Sequence, residues 1–250
     1  MQIVNVIGID EVGRGALCGP VYMAGTKLSS DYPLFTQKQS TEQFTKKYKN
    51  LDFVRDSKLL QPKLREKACQ LISTHQIPNL TLQANNFLID KYGIGVCLSL
   101  MMKIIIFWLL DKNIQIFVDG KIKIRNQFNP DLLKEICKEN NLNIPLKEFN
   151  KLIISEKSEK SLFEDSINIV RENKADDKYL SIALASNIAK VQRDRLMQRL
   201  DKEFPEYNWS TNKGYGTQMH RKKIKKNPYN KYLRQTFLSK IIKLKLINSN

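Results

Sequence analysis

Only two histidines, His75 and His220, occur among the 250 residues, too few for a multi-histidine metal centre. The four cysteines, Cys18, Cys69, Cys97 and Cys137, stand far apart and form no C-x-x-C pair. Such spacing excludes a zinc ribbon and argues against a disulfide framework, leaving reduced, cytosolic-type thiols as the plain reading. The opening MQIVNVIG has neither a basic n-region nor a small-residue cleavage site, so no secretory leader is read there. Internal repeats and low-complexity linkers are also absent. Long apolar runs are scarce. The longest, Gly93 to Leu110, has 18 residues interrupted by Lys103. It is at the short end for crossing hydrocarbon, and the polar flanks Asp90-Lys91 and Asp111-Lys112 suit a buried helix, so no membrane association is expected. Acidic residues vanish after Glu206, where eleven lysines and arginines remain.

What is present is a chain of 29.1 kDa with 42% hydrophobic and 27% charged residues. That length implies one domain, or one with a small appendage, burying roughly 70–75% of its unfolded surface without a staple. Lys and Arg number 42 against 25 Asp and Glu, a net charge of +17. A surface of this kind neutralises phosphates and releases counterions, which makes nucleic acid the leading partner. An anionic membrane surface and a merely solvated lysine-rich face are the alternatives.

Residues 2–9 read as a strand running into Asp10-Glu11 and the turn Gly13-Arg14-Gly15, with Val21–Thr26 as the returning strand. Residues 29–52 are polar and patternless, an extended loop or insertion. Pro62 opens a helix as an N1 proline, Asn79–Leu88 reads as a strand, and Asp90 begins the long apolar helix. Ile114–Val118 is a further strand, ending in Asp119-Gly120. Pro130–Asn140 is helical within an otherwise irregular excursion, 121–173. Ser181–Phe204 returns to helix, with Ile182, Ala185, Ala189, Leu196 and Leu200 at helical spacing. Two basic helices follow, around 214–226 and 230–246. Alternating strands and helices define an α/β class.

Asp10, Glu11 and Asp119 stand at strand ends, and Asp176 precedes the helix that starts near Ser181. Sites in open α/β sheets gather beyond the carboxyl ends of strands, so these groups can converge. Four repelling carboxylates require protons or cations, and hard oxygen ligands favour Mg²⁺ or Mn²⁺. Two such ions are a known device for attack on a phosphodiester. Each residue also has a structural reading, as a turn aspartate or a helix cap. Gly13-Arg14-Gly15 allows close backbone approach to a phosphate-bearing ligand, and equally describes a tight turn.

In combination these segments are far more specific. Gly8-Ile9-Asp10-Glu11-Val12-Gly13-Arg14-Gly15 with Gly19-Pro20-Val21 resembles the opening signature of the type 2 ribonucleases H, ribonuclease HII in particular. Asp56-Ser57-Lys58-Leu59, Val118-Asp119-Gly120, Lys174-Ala175-Asp176, Ala185-Ser186, Arg193-Asp194-Arg195 and Gly214-Tyr215-Gly216-Thr217 with His220 follow in family order. Leu233-Arg234-Gln235-Thr236-Phe237 departs from the usual H-R-x-S-F, Asn187 replaces a small aliphatic residue, and 57 positions separate Asp119 from Asp176. A GKG in place of GRG would have pointed to ribonuclease HIII.

The resemblance implies a ribonuclease H-like mixed sheet flanked by helices, with a catalytic domain over 1–206, insertions about 29–52 and 121–173, and a basic helical C-terminal region, 207–250, packed on it. It implies a metal-dependent endoribonuclease that cleaves the RNA strand of RNA–DNA hybrids and single ribonucleotides in duplex DNA, leaving 5′-phosphate and 3′-hydroxyl ends. The implied setting is the cytoplasm, in DNA replication and repair. Asp10, Glu11, Asp119 and Asp176 would be the catalytic metal ligands for two Mg²⁺ or Mn²⁺ ions. Gly13, Arg14 and Gly15 would read the 2′-hydroxyl and Tyr215 would stack on the next deoxyribose, the 2′-hydroxyl being what distinguishes the sugars. Lys58 and Lys190 would contact phosphates. Asp177 is read as solvent-facing or capping, Asp194 as the i,i+4 partner of Lys190, and His220 as packing or capping. A monomer is expected, with protein partners left open. The alternatives are a catalytically silent nucleic-acid-binding protein on this fold, and another two-metal nuclease without ribose discrimination.

Overall fold

The computed structural model describes residues 5–29, 51, 53–54, 57, 60–111, 114–125, 129–145, 147 and 168–239. Most of the 29–52 stretch, Asp56, Lys58, Leu59 and the end of the last expected helix lie outside them.

Five strands form one mixed sheet: β1 (Asn5–Val12), β2 (Val21–Ser29), β3 (Asn79–Ala84), β4 (Ile114–Asp119) and β5 (Asn168–Glu172), in the order β3-β2-β1-β4-β5. β1 pairs antiparallel with β2 from Asn5↔Ser29 to Val12↔Tyr22, and parallel with β4 from Asn5↔Ile114 to Ile9↔Val118. The β2 pairing carries β1 on through Asp10 and Glu11, which therefore lie within the strand and not in the loop after it. β5 continues the parallel half, Asp119 lying opposite Glu172.

The helices are α1 (Pro62–Thr74), α2 (Asn86–Tyr92), α3 (Ile94–Leu109), α4 (Pro130–Glu139), α5 (Leu180–Glu203), and the shorter α6 (Trp209–Asn212), α7 (Gln218–Lys226) and α8 (Gln235–Leu238). The expected strand 79–88 is cut short because the Asn85 side chain accepts the Leu88 N–H at 2.9 Å and starts α2 as an N-cap. Gly93, with φ +84°, then ends α2 and opens α3, which turns away by 111°. Among the described residues no single helix is long and apolar enough to cross a membrane; only the bent α2–α3 pair passes on length and composition. Along α3, Cys97 to Ile106 are all buried in the core. The stretch 121–173, expected as an excursion, supplies α4 to that core and β5 to the sheet edge. Residues 214–217 form a turn instead of starting a helix, which begins at Gln218 behind a Thr217 N-cap.

Strand alternation sorts the side chains between two layers. Ile7, Ile9, Ile116 and Val118 pack with α3 and α4, while Phe117 packs with Ile182 at the start of α5. α5 and α1 cover the other face, over Tyr22, Ala24 and Leu28. Gly8 faces α5. A β-carbon there would overlap the backbone of Ser181 and Ile182, so the first turn of α5 rests directly on β1. A third apolar cluster, Leu17, Cys18, Met197, Leu200, Tyr207, Trp209, Ile224, Leu233 and Leu238, holds the described residues 207–238 against the end of α5 and the loop after β1. All four cysteines are free.

Gly8→Ala forces α5 off the strand. We expect a loss of about 2–3 kcal/mol, read as a fall of roughly 5–10 °C in Tm. Gly15→Ala is the control, since a β-carbon at Gly15 meets nothing within 4 Å, and its Tm stays at the wild-type value.

Candidate active site

Asp10 lies two residues beyond Gly8 and Asp119 two beyond Phe117, so both carboxylates emerge on the α5 face of adjacent parallel strands. The backbone then brings the third acid. Residues Ala175–Asp177 form a single 3-10 turn just before α5, and the Ala175 N–H donates to Asp119 Oδ1 at 2.8 Å. Asp176, the next residue, is buried, and its neighbour Asp177 is exposed. Glu11, the next residue along the strand, is half-buried, lies close enough to Asp10 to repel its charged form, and meets the exposed Arg14 guanidinium at 3.8 Å.

Asp10 shows what this arrangement does to a carboxyl group. Burial raises its pKa from 3.8 to about 7, with Glu11 and Asp119 repelling its charged form, while hydrogen bonds from Ser186 and the Glu11 N–H oppose the rise. Among the described residues no three His, Cys, Asp or Glu side chains form a ready-made metal cage. The donor chemistry nonetheless fits a hard divalent cation: oxygen ligands alone, one of them with its pKa raised by burial and then by its acidic neighbours.

Ser186 is a site residue that the sequence reading quoted without a role. Its Oγ also lies 2.9 Å from Ser57 Oγ, which seats Ser57 beside Asp10. Arg65 on α1 donates to the carbonyls of Ser57 and Leu60, and it lies 3.7 Å from Asp194. Lys190 donates to the same Asp194 at 2.8 Å, the expected i,i+4 pair. Lys58 lies outside the described residues.

The loop after β1 is stitched to two later segments. Gly13 has φ +89°, Leu17 N–H donates to Gly214 O, Gly19 N–H to Tyr232 O, and Arg234 N–H to Leu17 O. Gly13, Arg14 and Gly15 thus stand beside the Gly214–Thr217 turn, from which Tyr215 projects with its side chain partly exposed. His220 is fully buried behind that turn: it accepts Trp209 Nε1–H at Nε2 (2.9 Å), and Nδ1 lies 2.8 Å from Tyr215 O. Burial pushes its pKa down. The pair of bonds fits a neutral imidazole with its proton on Nδ1, in keeping with a packing role and not with a base. Two further residues went unassigned in the sequence, the fully buried Arg193 and Arg234. Arg193 carried a legible signal, a cation in register with Ile182 and Ser186 on the buried stripe of α5.

The family model "Ribonuclease HII" matches residues 7–241. Ribonuclease HII of Prochlorococcus marinus (strain AS9601) is 33% identical over 241 residues, spanning 95% of this chain and 91% of that protein. Among solved structures, ribonuclease H2 from Pyrococcus horikoshii OT3 superposes with a TM-score of 0.59 at 23% identity, covering 95% of this chain and 97% of that one. Bst-RNase HIII in complex with Mn²⁺ gives a TM-score of 0.55 at 16% identity, over 94% and 64% of the two chains. The fold is thus shared with type 2 ribonucleases H.

The raised pKa of Asp10 has a sign that can be tested. Because the folded state holds this proton up to about pH 7 and the unfolded state only to about 3.8, the stability it contributes is full below pH 3.8 and is lost as pH rises through 7. In EDTA, Asp10→Asn should therefore match the wild type near pH 4 and melt several degrees higher at pH 8. Equal melting temperatures at both pH values would remove the crowding of Asp10.

Proposed function

The chain belongs to the ribonuclease HII family, a metal-dependent hydrolase that cleaves RNA in RNA–DNA hybrids, and on that premise we propose that Asp10, Glu11, Asp119 and Asp176 hold two divalent cations, Mg²⁺ or Mn²⁺. The observation that carries this reading is the convergence of Asp10 and Asp119 on one face of adjacent strands, with Asp176 brought alongside by the Ala175–Asp119 bond. When bound, the cations supply an activated water and charge stabilisation for the leaving oxygen, giving 5′-phosphate and 3′-hydroxyl ends.

The chain's own groups do the rest. Asp119 is oriented by the Ala175 N–H, so its second oxygen is left for the cation. Ser186 steadies the charged form of Asp10. Gly13, Arg14 and Gly15 read the ribose 2′-hydroxyl, Gly15 through an open backbone where even a β-carbon has space. Tyr215 stacks on the following sugar and disfavours a second 2′-hydroxyl, which gives single ribonucleotides in duplex DNA preference over a continuous hybrid. Lys58 and Lys190 contact flanking phosphates, Lys190 from its place beside Asp194. The division into a catalytic unit, 1–206, and a basic region, 207–250, belongs to the same proposal. It is supported by the exposed Arg221, Lys222, Lys223, Lys225 and Lys226 of α7, a row suited to the duplex backbone.

An end-labelled DNA duplex with one ribonucleotide, incubated with Mg²⁺, Mn²⁺ or EDTA, tests the reading. The expected result is a metal-dependent cut on the 5′ side of the ribonucleotide; binding without a cut favours a silent centre. Asp119→Asn should lower cleavage by at least 10³-fold, on the order of 4 kcal/mol in the barrier, with duplex affinity kept. Turnover by that variant within about tenfold of wild type would take Asp119 out of the metal site.

A further inference from the structure

Arg193 is fully buried, and its guanidinium is held by three backbone carbonyls instead of a carboxylate. Nε donates to Pro20 O at 3.2 Å, Nη1 to Lys213 O at 2.8 Å and Nη2 to Cys18 O at 3.3 Å. Its Cζ lies 5.4 Å from the centre of the Tyr215 ring. On its other side stands Gly13, where a β-carbon would overlap the guanidinium. One planar group therefore touches both ends of the loop after β1 and both the backbone and the ring of the turn that carries Tyr215. Burying a charge without a counter-charge costs several kcal/mol, and an apolar side chain would fill the same space without that cost. What an apolar side chain lacks is the fork, five donors in fixed directions and a flat face for an aromatic ring.

We propose that Arg193 is a positioning residue for sugar discrimination: it sets the separation between the Gly13–Gly15 loop and Tyr215, and so the spacing between the ribose that is read and the deoxyribose that follows. This rests on the roles proposed above for Gly13–Gly15 and Tyr215. Arg193 touches neither the carboxylates nor, being fully buried, the substrate. Its effect falls on which sugar pair fits, and much less on the hydrolytic step. The residue after it, Asp194, instead turns outward to Lys190 and Arg65, so the two neighbours divide between the sugar-reading loops and the cationic flank.

The test compares kcat/KM on a DNA duplex with one ribonucleotide and on a uniform RNA–DNA hybrid, in which every following sugar carries a 2′-hydroxyl. Arg193→Lys keeps the charge and loses the fork. The expected result is a fall of about tenfold or more in the ratio of the two values, with hybrid cleavage within about threefold of wild type and the change lying in KM for the single-ribonucleotide duplex. A merely structural role would lower both substrates together and leave the ratio unchanged, which overturns the proposal. Tyr215→Ala, run in parallel, separates the two levels. If it leaves the ratio unchanged, the reading of Tyr215 fails; if it lowers the ratio and Arg193→Lys does not, only the role of Arg193 fails. Should Arg193→Lys not fold by circular dichroism, Arg193→Gln is assayed in its place, and failure of both to fold overturns the proposal, since Arg193 would then serve the fold alone.

Discussion

The backbone contact between Gly8 and the first turn of α5 is the constraint from which the geometry of the site follows. No side chain fits between Gly8 and residues Ser181 and Ile182, so the helix lies closer to the strand than ordinary packing allows. That closeness brings Ser186 to Asp10 and places the turn carrying Asp176 within reach of Asp119. It also fixes where the rest of α5 runs, and Arg193 reaches the loop after β1 because the helix starts where it does. A glycine two residues before Asp10 thus acts on the site through helix placement, a different matter from the conformational freedom that Gly13 requires at φ +89°.

Around this contact the electrostatics divide sharply in space. The end of β1 buries Asp10 among further acids, and burial first, then the charges of Glu11 and Asp119, raise its pKa to about 7. A few residues farther along α5 the balance reverses: Arg65, Lys190 and Lys213 gather about the single acid Asp194, and the pKa of Lys213 is lowered by burial and by its cationic neighbours. The acidic strand ends face the first turns of α5, and the cationic group gathers about Asp194 two to three turns farther along the same helix. Arg234 extends the same economy to the C-terminal region, donating to Gly19 O and Arg14 O from a fully buried position.

The site was more legible in the sequence than the fold that carries it. The glycine-bearing turn, the strand ending in Asp119 and the long helix after Asp176 have strong local signatures, because close approach, a strand end and a buried stripe each demand particular residues. β5 left little trace: at the sheet edge, its five residues Asn168–Glu172 include two charged side chains and lack a clean alternation. The break at Gly93 falls at the head of the apolar run, within the helix expected from Asp90, since burial alone does not say whether a helix bends. Asp10 and Glu11 are legible as the end of the first strand, and pairing with β2 keeps the backbone extended one residue farther, through Val12. The buried arginines were not legible as a clamp, since their partners are main-chain carbonyls that no sequence pattern marks.

The order of the strands has a consequence for how such a chain comes alive during synthesis. β1 pairs in parallel with β4, more than a hundred positions later, and it is covered by α5, about 170 positions later. Contacts of such long range close slowly and only after the intervening chain exists. A growing chain that has exposed Asp10, Glu11 and Asp119 still lacks the helix that buries the first and the turn that orients the third. The carboxylates of the candidate site therefore take up their arrangement only once the α5 segment has left the ribosome and docked on β1.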